Sequence, residues 1–190
     1  MRVLENKPFE PLNEASLKFL TFKTVFLTAI TTFRRCSDLQ SLRFDHESMK
    51  IQDKGITFIR HGLSKQDRQS HFGVKIHVPH FTERESLDPK RAINVYLDKT
   101  KICRQKLGSP DKVKLFLAIK EPHKPVSTVT ISSWIVQTIK TAYSDDNLKV
   151  TAHPTRAIAP SWALYKGAST KSILDTADWS SESTFVKFYL

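Results

Sequence analysis

The sequence predicts a mainly α-helical domain carrying one small three-stranded antiparallel sheet, an α+β arrangement. Apolar residues recur at helical spacing near 14–33, 89–107 and 128–143, and again in the closing stretch from His153. Clear apolar–polar alternation falls between residues 49 and 78, in three short runs. At 190 residues the chain fits one domain, and its 39% hydrophobic and 10% aromatic content suffices to fill a core.

The elements follow in order. Pro11-Leu12-Asn13 opens the first helix, with Asn13 as candidate cap. Leu17, Leu20, Phe22, Phe26, Leu27, Ile30 and Phe33 then make it largely buried. After Phe33-Arg34-Arg35-Cys36, Ser37 is read as the cap of a short helix reaching Leu42, with Asp38 near its positive end. Of the arginine pair, either both form a solvated corner or one turns inward, held by an acid such as Asp38. Met49–Ile51, Gly55–Arg60 and Gly73–Val78 read as strands, the first two joined by the turn Asp53-Lys54-Gly55. A polar basic loop, 62–70, lies between the second and third.

Pro89 sits at the favoured first position of a helix that buries Ala92, Ile93, Tyr96, Leu97, Ile102 and Cys103 and stops by Gly108-Ser109-Pro110. Leu115–Ile119 is a short strand or an extended packing segment. Ser127 or Thr128 caps a helix to about Tyr143, burying Ile131, Trp134, Ile135 and Ile139. The closing stretch holds a helix with Ile158, Trp162, Leu164 and Tyr165 as its apolar set and Gly167 as its stop. A second helix, Thr170–Ala177, follows. After Trp179 a third segment, 180–189, has Phe185 and Phe188 as anchors.

Thirty Lys and Arg against 19 acids give a net charge of +11 and a pI near 9.7. Such an excess favours a polyanionic partner, nucleic acid first. Cys36 and Cys103 are far apart and lack a CxxC partner, so neither a zinc site nor a disulfide framework is indicated. Their usage fits a reducing compartment: the nucleus in a eukaryote, otherwise the cytoplasm, and not a secreted protein. No charged-then-apolar leader opens the sequence. The apolar run 17–33 carries Lys18, Lys23 and several threonines, which suits a buried helix and not a membrane span. No phosphate-cradling glycine loop is present, so no nucleotide cofactor is expected.

The chemistry concentrates in 151–190. His153 and Arg156 are three apart and share a face on an opening helical turn. Trp179 and Tyr189 follow. Taken singly, each residue has an ordinary reading as cap, core or surface; only their joint spacing points further.

That spacing resembles the catalytic domain of tyrosine recombinases, or phage-type integrases, and most closely the recombinases of DIRS-like and Ngaro-like retrotransposons. The R-x-S-[ED]-L segment reads Arg35-Cys36-Ser37-Asp38-Leu39, and H-x-x-R reads His153-Pro154-Thr155-Arg156. Trp179 matches the His or Trp position, and Tyr189 follows ten residues on. For the lysine in a sheet hairpin, Lys65 is the best match, with Lys54 and Lys75 close by. The match covers nearly the whole chain in order.

The resemblance implies site-specific recombination or integration of a mobile element, by DNA cleavage and rejoining through a 3′-phosphotyrosyl intermediate. It implies Arg35, Lys65, His153, Arg156, Trp179 and Tyr189 as catalytic residues, with Arg34, Arg68 and Lys166 as DNA contacts. Double-stranded DNA is the expected partner, with self-association into a tetramer on it. No metal or other cofactor is expected. The family's N-terminal DNA-clamping domain is not expected within residues 1–190. An inactive DNA-binding relic or fragment of a recombinase is the alternative.

Overall fold

A computed structural model of the protein describes residues 2–60, 74–145, 147–179 and 186. Its helices among these residues are α1 (Leu17–Thr32), α2 (Cys36–Ser41), α3 (Pro89–Gln105), α4 (Thr128–Tyr143), α5 (His153–Tyr165) and α6 (Thr170–Ala177). Strands β1 (Met49–Gln52), β2 (Gly55–Arg60) and β3 (Val74–Pro79) lie between α2 and α3. They form one antiparallel sheet in the order β1-β2-β3. The expected fold class is therefore the observed one.

α1 is the axis. Leu20, Val25, Leu27 and Ala29 are buried in it, and so are Thr21, Thr24, Thr28 and Thr32. Each of those four hydroxyls donates to the carbonyl four residues back, at 2.6–2.7 Å. A helix whose side-chain donors are satisfied within itself can be enclosed on several sides. α3, α4, α5 and β3 all pack on it.

The helix starts at Leu17 rather than near 14, and Ser16, not Asn13, caps it, accepting from the Phe19 N–H at 3.5 Å. Leu12 and Ala15 are buried in the turn before it, and that burial delays the helix. This N-terminal segment is tied down by Lys23, which is fully buried. Lys23 Nζ donates to the Leu4 carbonyl at 2.6 Å and pairs with Glu10 at 2.5 Å. Burial lowers the Lys23 pKa, and Glu10 opposes that shift.

In the sheet, Ile56, Phe58, Ile76 and Val78 face the core. Gly55 has φ of 151°, and a Cβ there would overlap the Val78 carbonyl oxygen, so glycine is required where β3 passes the β1–β2 turn. α3 begins at Pro89 as expected, with Asp88 accepting from the Lys90 and Arg91 N–H groups at 3.1 Å. Ile102, expected inside, is 70% exposed. The inward place at this end of α3 belongs to Arg104, which lies 4.6 Å over Phe44 and donates to the carbonyls of Lys114 and Leu115. The segment around Leu115 is an extended packing stretch with isolated bridges Arg43–Lys114 and Leu117–Pro125. Ser127 caps α4, accepting from the Thr130 N–H at 3.2 Å.

The buried apolar residues form two clusters. The large one joins the N-terminal segment, α1, the sheet, α3 and α4. The small one is Ile173, Ala177 and Trp179, with Phe33, Ala163, Leu164, Ala168 and Leu174 packed on it. α6 matches its expected bounds. α5 differs in phase: among its described side chains Arg156 and Pro160 are buried, and Ile158, Trp162 and Tyr165 are 65%, 59% and 76% exposed. An arginine occupies the inward face; of the expected apolar set Leu164 packs inward on the small cluster, and the other three mark the outward face. Among the described residues no helix is long and apolar enough to cross a membrane.

Candidate active site

α1 stops at Phe33, whose left-handed backbone (φ 54°) closes the helix with an N–H bond to the Ala29 carbonyl. The chain reverses there and sends the next two arginines different ways. Arg34 is 6% exposed, whereas Arg35 is exposed. Arg35, not Ser37, is the cap residue of α2, and its backbone N–H donates to Asp38 Oδ2 at 3.1 Å. Asp38 also faces Arg60 at 3.6 Å.

Beside Arg35 lies a cavity of about 440 Å³, lined by Ala29, Arg34 to Ser37, Thr128, Val129, Ser132, Ile135, Ala152, His153 and Arg156. Residues 35–37, 128–129 and 152–153 of this wall are the starts of α2, α4 and α5. Helix starts expose unpaired N–H groups and the positive end of the backbone dipole. Among the described lining residues there is no carboxylate. Three guanidiniums, one imidazole and three helix starts make the cavity a receptor for an anion.

Arg156 is 8% exposed. Its Nε–H donates to the Phe33 carbonyl at 2.9 Å and its Nη2 to the Ala177 carbonyl at 3.3 Å. The guanidinium lies 5.1 Å from the Trp179 ring centre. Two carbonyls and an indole face thus hold it, from the residue that closes α1, from the last residue of α6 and from Trp179 two residues on. Trp179, 9% exposed, backs Arg156 from behind the cavity.

Arg34 turned inward, and its acid is Asp178, at 3.0 Å, and not Asp38. Its Nη2 also donates to the Lys75 carbonyl of β3 at 3.3 Å. Burial lowers its pKa, while Asp178 and Asp38 oppose the shift. Arg34 was expected at DNA; its 4% side-chain exposure makes it instead a strut between α1, the sheet and the end of α6. Burial raises the Cys36 thiol pKa, so this cavity cysteine is held as the neutral thiol.

Arg35, His153 and Arg156 are thus brought to one wall, with Trp179 behind. Lys65, Arg68, Tyr189 and the segment 180–185 lie outside the described residues. Lys54 sits in the β1–β2 turn, and Lys75 is exposed on β3. Lys166, at the far end of α5, lies over the Trp162 and Tyr165 rings and does not line the cavity. Sequence reasoning missed Thr128, Ser132 and Asp178. Thr128 had a signal, since the start of a basic chain's helix is a ready anion ligand, and Ser132 lies one turn further on. Asp178 had only its place beside Trp179.

The helices, sheet and their order define the catalytic-domain fold of tyrosine recombinases. The XerH site-specific recombinase bound to palindromic difH substrate, in a post-cleavage complex, superposes with a TM-score of 0.64 at 14% identity, over 92% of this chain and 44% of that one. XerA recombinase gives 0.60 at 19% identity, over 90% and 56%. A lambda integrase dimer bound to a COC′ core site gives 0.51 at 18%, over 92% and 52%. The chain thus spans less than two thirds of each of these proteins, and at such identities the likeness is one of fold. No protein-family model matches the sequence. No curated protein matches it either.

Proposed function

We propose that the chain is the catalytic domain of a site-specific DNA recombinase, breaking and rejoining DNA through a 3′-phosphotyrosyl bond. The observation that carries this is the wall, without a carboxylate among its described residues, on which Arg35, Arg156 and His153 meet at helix starts. A DNA phosphodiester is the anion it suits. Arg35 and Arg156 donate paired hydrogen bonds to the non-bridging oxygens and stabilise the charge gathered in the five-coordinate transition state. Trp179 keeps Arg156 aimed.

In the reaction the Tyr189 phenol oxygen bonds to phosphorus, the bond from phosphorus to the 5′ oxygen breaks, and the strand is held as a 3′-phosphotyrosine. His153 accepts the phenol proton; a phenol with a pKa of about 10 needs such help near neutrality. Lys65 protonates the departing 5′ oxygen. The 5′ hydroxyl of a new strand then attacks and releases Tyr189, so joining needs no external energy. The R-C-S-D-L segment and the ten-residue step from Trp179 to Tyr189 favour the DIRS-like and Ngaro-like branch, and hence a mobile element. Assembly is on duplex DNA, as a tetramer.

The test is a nicked duplex substrate that traps the intermediate. The parent chain forms a covalent protein–DNA adduct, Tyr189→Phe forms none, and Arg156→Gln slows the reaction roughly a hundredfold or more. An adduct from Tyr189→Phe equal to the parent's overturns the nucleophile. Salt-sensitive duplex binding with no adduct from the parent would favour the inactive, DNA-binding reading.

A further inference from the structure

α5 presents a second feature that strand cleavage does not use. Ile158, Trp162 and Tyr165 follow one another at steps of four and three, so they form a stripe on one face. That face is turned away from buried Arg156, with Trp162 59% and Tyr165 76% exposed. The two rings are stacked, 5.3 Å between centres and 29° apart. Lys166 Nζ lies 5.1 Å from the Trp162 ring centre and 5.6 Å from that of Tyr165.

We propose that this stripe is a stacking platform for the unpaired bases of a single-stranded nucleic acid. Two observations select that occupant. The platform is flat, aromatic and wet, so its partner supplies a flat apolar face. Its surroundings are basic: Lys166 lies over both rings, and between Asp146 and Asp175 the chain has no carboxylate but adds Lys149 and Lys171. The partner is therefore also anionic. A second copy carries the same net charge of +11, which opposes its approach to a basic face. A duplex supplies the charge but hides its base faces in the stack. An unpaired strand supplies both, with a base on the ring pair and a phosphate near Lys166. The base face is common to DNA and RNA.

The inference does not rest on the cleavage reading, because the platform and the cavity lie on different faces of α5. The full chain is titrated with short oligo(dT), oligo(U) and a duplex, following anisotropy and tryptophan emission. Trp134 and Trp179 are 7% and 9% exposed, so a change in emission on stacking reports Trp162. Both oligomers should quench it. Trp162→Ala with Tyr165→Ala should weaken oligo(dT) and oligo(U) about tenfold or more. Duplex affinity and the far-ultraviolet circular dichroism should stay unchanged, and Trp162→Phe should retain most single-strand binding. If only one oligomer loses affinity, the platform serves that nucleic acid alone. Unchanged single-strand affinity in the double variant, or an equal loss for the duplex, overturns the proposal. So does a shift from dimer to monomer in sedimentation, which would make the stripe an interface between copies. The covalent-adduct assay reads the other face, so either idea can fail alone.

Discussion

The two apolar clusters are held together by different means. The large one encloses α1 with apolar side chains from the N-terminal segment, the sheet, α3 and α4. The small one buries three residues, Ile173, Ala177 and Trp179, and relies on polar ties to reach the rest of the molecule. Arg156 bonds to carbonyls at the ends of α1 and α6, and Arg34 joins β3 to Asp178. Apolar burial is strong but undirected, whereas a hydrogen-bonded guanidinium is fixed in angle. The cavity lies where the two kinds of holding meet. Its cations are therefore fixed in angle on a part of the fold that we expect to open at lower free energy than α1 does.

Three measurements bear on this contrast. The largest effect belongs to Leu20→Ala, in the middle of α1, where a fully buried leucine becomes a void. We expect a loss of about 3–5 kcal/mol in a denaturant titration, with both clusters unfolding together. A loss under about 1 kcal/mol would mean that α1 is not the axis of the core.

Next is Asp178→Asn, which leaves the Arg34 charge buried without its acid. Asparagine tolerates the left-handed backbone at 178 (φ 56°), so the change removes charge alone. It should cost about 1–3 kcal/mol, confined to the small cluster. Hydrogen exchange should quicken in α6 and stay unchanged in the middle of α1. Equal quickening in both would show one cooperative unit and dissolve the contrast. Removing the buried charge as well, Arg34→Met with Asp178→Asn, should restore most of the loss, because no uncompensated charge is then left inside.

The smallest effect is an acid one in the large cluster. Burial pushes the Asp45 pKa up, but bonds from the Ser48 side and from Arg43 outweigh it and hold the pKa at about 2, against an ordinary 3.8. A depressed carboxylate adds stability above its unfolded pKa and loses it as pH falls through the folded one. The loss therefore falls between about pH 4 and pH 2. Since Asp45 is partly solvated, it should amount to about 1 kcal/mol. Asp45→Asn should flatten that stretch of the acid titration and nothing above it.

Much of this was readable from residues alone. Helix period placed α1, α3, α4 and α6, and alternation placed the sheet, because those patterns record which side of an element meets apolar neighbours. The same logic misled in α5. There the inward face holds Arg156 and Pro160, and an arginine counts as polar however deeply it lies. Arg34 failed for a related reason. Its acid, Asp178, is at the other end of the chain and meets it only after α6 has packed, so local sequence named Asp38 instead. The convergence of Arg35, His153 and Arg156 was legible because motif spacing carried it; the helix starts that surround them were not.

Phe33 joins these threads. Its amide ends the α1 ladder, its carbonyl holds Arg156, and its ring packs on the small cluster. A phenylalanine in left-handed backbone costs roughly 1 kcal/mol or more, which glycine would relieve. Yet Phe33→Gly would loosen the backbone whose oxygen sets the guanidinium's bearing and would strip the ring from the small cluster. The residue least comfortable in its own conformation is thus the one that keeps the compass needle of the cavity from drifting.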